Sequence, residues 1–306
     1  MEYKLYRLEF PNGVHFGKNS LEDAQITIRD DTLFSALYLE AIRCGYAKEL
    51  LKAAGSGTLG LSDAFPFRDR QYFLPKPVIW IQTRENQGDS KEKKRFKKMQ
   101  YIPADCLVPY LQGEFPPERT GDFQEIGRFG MKVCAAIRGH EDPQPYRIRF
   151  YRFEEGCGLY FIMGYEGKEE EALFTELMNG LACSGLGGKR SSGFGRFRYQ
   201  EEEVPEIILK YLGREGSCQM LLSSALPKDE ELDEAIKGAC YQLVKRSGFV
   251  SSENYAAQQM RKRDLYVFSS GSCFRTAFRG GIYDVSSGGS HAVYRYAKAM
   301  FLGVKL

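Results

Sequence analysis

Between residues 181 and 198 the chain reads LACSGLGGKRSSGFGRFR. Gly185, Gly187, Gly188, Gly193 and Gly195 surround Lys189, Arg190, Ser191 and Ser192, so flexible backbone, two fixed charges and two hydroxyls share one short segment. That combination suits phosphate: glycine lets a polymer approach the main chain closely, cations meet the charge, and hydroxyls donate hydrogen bonds. Two familiar nucleotide loops are excluded by spacing. A Walker loop needs glycine where Cys183 stands and a hydroxyl directly after Lys189, where Arg190 stands. A dinucleotide fingerprint starting at Gly185 and Gly187 needs a third glycine, again where Arg190 stands. Both of those loops also run into a helix N-terminus, whereas here the pattern predicts a helix before the loop and a strand after it. The plain alternative is a glycine-rich C-cap that merely connects helix to strand. Five glycines around two adjacent cations exceed what a connector requires.

The elements that must position this loop follow from periodicity. Residues 168–183 (KEEEALFTELMNGLAC) predict a helix with Leu173, Phe174, Leu177, Met178 and Leu181 on its apolar face and three glutamates at its positive end. The run 158–165 predicts a buried strand before it, and Phe194, Arg196, Phe197, Arg198 and Tyr199 predict a strand after it, ending at Glu201–Pro205. At the start, residues 3–10 alternate as a strand, followed by Pro11-Asn12-Gly13 and then by His15 beside Phe16 in a glycine-bounded loop. His15 is either a ligand-facing group or a loop histidine bonded to backbone. Asp30 or Asp31 can cap the next helix, whose apolar positions are Leu33, Phe34, Leu37, Tyr38, Ala41 and Ile42. A second short helix covers 46–54, and 59–67 and 71–81 are extended, demoted to edge or irregular strands by Pro66, Pro75 and Pro77.

Residues 84–98 (RENQGDSKEKKRFKK) crowd Lys91, Lys93, Lys94, Arg95, Lys97 and Lys98 together. They are read first as a solvated loop and second as an RNA contact. Residues 99–111 predict an insertion draped over the first sheet. Runs 128–138 and 146–154 predict two extended arms joined through His140 and its neighbours. In the second arm Tyr146, Ile148, Phe150 and Arg152 alternate with Arg147, Arg149, Tyr151 and Phe153. That pattern is either a cationic, aromatic RNA-facing strand or a surface hairpin with solvated arginines.

The chain of 306 residues suits two domains. Its net charge of only +3 means that any polyanion surface must be local. Eight cysteines form no C-x-x-C pair, so neither a zinc nor a redox site is signalled. No apolar run approaches a membrane span, and the first residues lack a signal-peptide pattern, so the expected location is the cytoplasm. The order strand, helix, extended pieces, inserted hairpin, strand, helix, glycine loop, strand predicts an α+β chain. It has two ferredoxin-like (RRM-like) domains: residues 1–203, with an insertion at about 82–155 and the glycine-rich loop at 185–195, and a degenerate copy at 204–306.

A helix, then GLGGKRSSGFGRF, then a strand resembles the glycine-rich loop of the RAMP superfamily of CRISPR proteins. FPNGVHFG, DTLFSALY, KKMQYIP, GLYF and HAVYRYAKAMFLGV occur in order along the whole chain. Together they look like the fourth-subunit family of the Csm, or type III-A, effector complexes. Ala292 after His291 departs from the pattern, where proline is expected. The resemblance implies a non-catalytic subunit without cofactor or metal that caps the single-stranded 5′ repeat tag of CRISPR RNA. It implies two protein partners, the large polymerase-domain subunit and the first backbone RAMP subunit, and a thumb hairpin near target RNA in antiviral defence. The RNA-binding set carried by residues and resemblance together is His15, Phe16, Gly185, Gly187, Gly188, Lys189, Arg190, Ser191, Ser192, Gly193, Phe194, Arg196, Arg147, Arg149, His291 and Arg295. A competing reading is a metal-independent RAMP endoribonuclease that processes precursor CRISPR RNA, with His15 as general base and Lys189 steadying the phosphorane.

Overall fold

Alternation in the first strand, β1 (Glu2–Glu9), sends Tyr6 and Leu8 to one side of a sheet and Leu5 to the other, all three without exposed surface. The computed structural model describes residues 1–18, 20–80, 90–136, 142–252 and 254–305; His140 and residues 84–89 of the lysine-rich run lie outside the described residues. After β1 come β2 (Phe16–Gly17), β3 (Ala24–Gln25), α1 (Asp30–Cys44), α2 (Ala47–Ser56), β4 (Leu59–Leu61), β5 (Phe65–Arg68) and β6 (Gln71–Pro75). The insertion supplies α3 (Ser90–Lys98), β7 (Tyr101–Pro103), α4 (Leu107–Leu111) and two arms, β8 (Gly127–Ala136) and β9 (Gln144–Phe153). The chain returns through β10 (Cys157–Tyr165), α5 (Lys168–Ser184) and β11 (Arg198–Glu203). The C-terminal unit follows with α6 (Glu206–Leu209), β12 (Cys218–Leu221), α7 (Asp229–Ala235), β13 (Leu243–Arg246) and β14 (Leu265–Phe268). It ends with β15 (Cys273–Phe274), β16 (Gly280–Asp284), β17 (Tyr294–Lys298) and β18 (Phe301–Val304).

The main sheet has seven strands in the order β11-β1-β10-β5-β6-β7, with β4 also on β10, and its pairs are antiparallel. All nine residues of β10 are buried, because both faces of the sheet are covered. On one face α1 and α5 lay Leu33, Phe34, Leu37, Phe174, Leu177 and Leu181 against Tyr6, Leu8, Phe161 and Met163. On the other face Leu5, Phe65, Tyr160 and Ile162 meet Ile102 and Tyr110 of the insertion and Met220 and Leu302 of the C-terminal unit. Each such apolar side chain removed from water contributes about 1.5–3 kcal/mol. The sheet is therefore the common floor of both halves of the chain.

The chain is thus α+β with antiparallel sheets, as its pattern predicts, but residues 99–111 are only partly draped over the main sheet: Tyr101–Pro103 join it as its edge strand β7, while Leu107, Tyr110 and Leu111 pack on its face. Several expectations change. The lysine-rich run is helical from Ser90, because Phe96 stacks on Tyr110 with ring centroids 5.7 Å apart and gives the segment an apolar side to bury. The strand after the glycine loop begins only at Arg198, so Phe194, Arg196 and Phe197 belong to the loop. The final run is two strands on different sheets, β17 beside β16 and β18 beside β12. Capping of α1 comes from a distant residue: the Asp63 carboxylate accepts from the Asp30 backbone N–H at 2.9 Å, and the Asp30 side chain serves Asp31. All eight cysteines are free thiols. Among the described residues no helix is long and apolar enough to cross a membrane.

Candidate RNA interface

The glycine loop is zipped to the loop after β1. Gly188 donates to the His15 carbonyl at 2.9 Å, Gly195 to the Gly13 carbonyl at 3.0 Å, and Leu186 to the Gly195 carbonyl at 2.8 Å. Two positions show why glycine is required. Gly195 (φ +75°) abuts the Leu186 carbonyl oxygen, into which a Cβ would run. A Cβ on Gly187 (φ +88°) would sit 2.8 Å from the His15 carbonyl oxygen and 2.9 Å from the Phe16 ring. Lys189 is left-handed without being glycine, at φ 58°, and opens a single turn over Arg190–Ser192. That turn carries its side chains outward.

His15 is the hub of this packing. Its ring is 4% exposed and Nδ1 donates to the Arg149 carbonyl of β9 at 2.6 Å, so the residue ties the hairpin to the glycine loop. This is the backbone-bonded loop histidine that the sequence offered as one reading. A general base at His15 would need an accessible ring, and the geometry gives none. Phe16 is likewise buried, edge-on to Phe10 with centroids 5.9 Å apart, and shapes the loop from below.

The arms β8 and β9 pair antiparallel from Gly127↔Phe153 to Ala136↔Gln144. The hairpin stands apart from the main sheet and is held at its base, where Val14 exchanges two 2.8 Å backbone bonds with Tyr151 and Arg149 donates to the Leu21 carbonyl. Its register separates two faces. On one, Lys132, Tyr146 and Phe150 turn toward the glycine loop: the Lys189 ammonium lies 4.9 Å from the Tyr146 ring centre, Phe150 is 5.1 Å from Phe194, and the Lys132 ammonium is 5.7 Å from Phe194. On the other, Phe129, Met131 and Val133 are 40%, 48% and 66% exposed. Arg149 and Arg147 stand directly across from Met131 and Val133, and the Arg149 guanidinium covers the Phe129 ring at 4.4 Å. An aromatic and cationic face of this kind can stack on unpaired bases and meet phosphates.

Beyond the loop, Arg43, Ser184, Lys189, Arg190, Ser191 and Arg196 line an open groove. Arg190 leans back on the last carbonyls of α5, Ser184 and Gly185, at 3.4 Å each, where a cation complements the helix dipole. Arg43, from the last turn of α1, bonds Glu40 at 2.7 Å and the Ser184 hydroxyl at 3.0 Å. Among the described residues that is the one ion pair in the groove. Ser191, Ser192 and Arg196 are exposed to solvent.

The structure therefore brings together His15, Phe16, the five glycines, Lys189, Arg190, Ser191, Ser192, Phe194 and Arg196, with Arg147 and Arg149 on the adjoining hairpin. It separates off two residues. His291 bonds the Ser252 hydroxyl at 3.0 Å and lies edge-on to Tyr255, both in the C-terminal unit. Arg295 is 6% exposed and its guanidinium is bonded to the buried Asp31 carboxylate, which Arg246 also grips at 2.7 and 2.9 Å. A cation so engaged has no face left for RNA, so Arg295, expected from the sequence to contact RNA, lies outside the candidate interface. Burial by itself raises the Asp31 carboxyl; Arg246 and then Arg295 reverse this and hold it at about 2. Arg43, Lys132, Tyr146 and Phe150 also border the candidate interface and are absent from the set expected from the sequence. Alternation along 128–136 could have found Lys132; nothing local marks Arg43.

Comparison with known proteins gives a consistent result. The family model described as "CRISPR Csm4 C-terminal domain" matches residues 214–304, and that of "CRISPR-associated protein (Cas_Cmr3)" matches 63–235. The chain is 40% identical over 313 residues to the "CRISPR system Cms protein Csm4" of Mycobacterium tuberculosis, covering 99% of this chain and 98% of the relative. It is 36% identical to the Csm4 of Streptococcus thermophilus over the full length of both. Among solved structures, the fold matches a chain of a Csm3-Csm4 subcomplex of the type III-A interference complex with TM-score 0.66, at 18% identity and 98% coverage of each chain. It also matches a chain of a Csm1-Csm4 cassette bound to AMPPNP with TM-score 0.60, at 18% identity, covering 99% of this chain and 98% of that one.

Proposed function

The chain belongs to the Csm4 family of type III-A CRISPR complexes, and from that premise we propose that it is a non-catalytic, cytoplasmic RNA-binding subunit capping the 5′ repeat tag of CRISPR RNA. One observation carries this reading: Lys189, Arg190 and Arg196 gather at a glycine-shaped turn with, among the described residues, a single ion pair in their groove. The sugar–phosphate chain of the tag runs along the turn, with Lys189, Arg190 and Arg196 on phosphates and the Ser191 and Ser192 hydroxyls donating to oxygens. Gly187 and Gly195 keep the turn low enough for close approach. The β8–β9 hairpin is the thumb, its face of Phe129, Met131, Arg147 and Arg149 set toward target RNA.

The strand order β11-β1-β10-β4/β5, with α1 and α5 on one face, supports a ferredoxin-like N-terminal domain at residues 1–203. The smaller β15-β12-β18 sheet supports a degenerate second domain at 204–306. The solved assemblies of relatives, Csm3 with Csm4 and Csm1 with Csm4, support a bridging position between a first backbone subunit and the large polymerase-domain subunit.

Replacing both Lys189 and Arg190 by alanine in the assembled complex tests the proposal. Tag affinity falls, and the log–log salt dependence becomes shallower by about 1.4, at about 0.7 per lost phosphate contact on a single strand. Unchanged affinity together with an unchanged slope sinks the reading.

A further inference from the structure

A second concentration of unpaired cations lies on α3, within the insertion and outside the glycine loop. At about 100° per residue, Lys94, Arg95, Lys97 and Lys98 spread over roughly 160° of the helix surface, and Phe96 falls opposite the middle of that arc. The structure uses this division. Phe96 stacks on Tyr110 at 5.7 Å and meets Phe115 edge-on at 5.9 Å, while Lys76 donates to the Phe96 carbonyl at 2.6 Å and covers its ring at 4.4 Å. Met99, the next residue after the helix, is buried. The helix is thus pinned by its apolar side, and all four cations are exposed. None of the four has an ion pair or hydrogen-bonded side-chain partner among the described residues.

We infer that α3 is a separate contact for the phosphodiester backbone of an RNA strand that extends beyond the glycine loop. Charge complementarity selects the occupant. Among the described side chains of α3, which begin at Lys94, the exposed arc carries only cations, whereas the core of a protein-docking surface is enriched in aromatic residues and depleted in lysine. A lysine-rich arc without an apolar anchor suits a regularly spaced polyanion, which it binds without reading sequence. The inference extends the proposed RNA-binding function to a surface that neither the loop nor the hairpin supplies.

The test uses the full-length protein and two labelled oligouridylates, one of 8 and one of 30 nucleotides, with an oligothymidylate of 30 nucleotides to separate RNA from DNA. In K94Q/R95Q/K97Q/K98Q, affinity for the 30-mer falls at least about tenfold at low salt, and its log–log salt slope becomes shallower by up to about 2.8. Binding of the 8-mer, which the loop alone can hold, stays unchanged, and the arginine variant K94R/K97R/K98R keeps wild-type affinity for both. Loss of oligothymidylate binding in parallel assigns the contact to the backbone and supports the inference. Failure of the glycine-loop reading looks different, since K189A/R190A would then leave 8-mer binding intact. The inference is overturned if the quadruple variant binds the 30-mer as wild type does, the result expected if α3 instead receives an acidic protein. It is also overturned if both lengths lose affinity equally.

Discussion

Two clusters of cations meet helix α1, one at each end, and their surroundings differ. At its N-terminus Arg246 and Arg295 clasp Asp31, while Asp63 takes hydrogen bonds from Ser224 and Ser270 and pairs with Arg29 at 3.5 Å. Asp31 comes from α1, Arg29 from the residue before it and Asp63 from the link between β4 and β5, while Ser224, Arg246, Ser270 and Arg295 are four separated points of the C-terminal unit, and the carboxylates are buried. At its C-terminus Arg43, Lys189, Arg190 and Arg196 line an open groove and, among the described residues, share one ion pair. Elsewhere on the main sheet cations are also paired, as Lys4 is with Glu171 and Glu201, and Arg7 with Glu202. A cation that has its counter-charge holds the fold; a cation left without one, on a turn shaped by glycine, is available to a ligand.

The comparison is broken most sharply at the buried end. Asp31→Ala strands two guanidiniums away from water and lowers unfolding free energy by about 3–5 kcal/mol. Urea denaturation measures it, and a loss below about 1 kcal/mol would mean that the seam is not held by this carboxylate. Next in size is Gly195→Ala, which forces a side chain into left-handed backbone against Leu186 and costs about 1–3 kcal/mol. Its tag affinity drops further than its stability explains; wild-type affinity in a folded G195A protein would show that the shape of the turn is irrelevant to RNA. Arg196→Ala sharpens the contrast from the other side, since an exposed cation without partners changes stability by no more than about 0.5 kcal/mol. Its salt slope for RNA nevertheless becomes shallower by about 0.7.

One effect has the opposite sign. Burial, followed by the charges of Asp63 and Asp31, raises the Asp30 carboxyl well above its ordinary value. Because the folded state resists ionising it, stability is complete below the unfolded pKa of about 3.9 and drains as pH rises above it. Asp30→Asn removes that drain, so its melting temperature exceeds wild type by roughly 2 °C at pH 8 and the gap closes toward pH 4. A gap that stays constant between pH 4 and 8 would contradict a raised Asp30.

Strongly periodic stretches were legible in advance. The apolar spacing from Leu173 to Leu181 marks α5 within a residue or two of its ends, and the alternating run at 146–154 marks β9. The glycine loop stands out by composition. Less legible was the role of single charged or aromatic residues. Arg295 reads from sequence as an RNA contact, yet it is buried because Asp31, distant in sequence, neutralises it. The lysine-rich run reads as loop because its one aromatic residue gives no period; Phe96 makes it a helix only once Tyr110 and Phe115 are beside it.

What the amino-acid order determines by itself is therefore local: which segments can bury a face, where backbone must turn left-handed, and where phosphate-binding side chains are concentrated. Those follow from steric limits and side-chain chemistry within a few residues. Tertiary structure alone decides which of the 43 lysines and arginines stay unpaired, because pairing depends on carboxylates brought from distant positions. It also makes His15 a buried strut between hairpin and glycine loop, and places Arg43 in the groove beside Arg196.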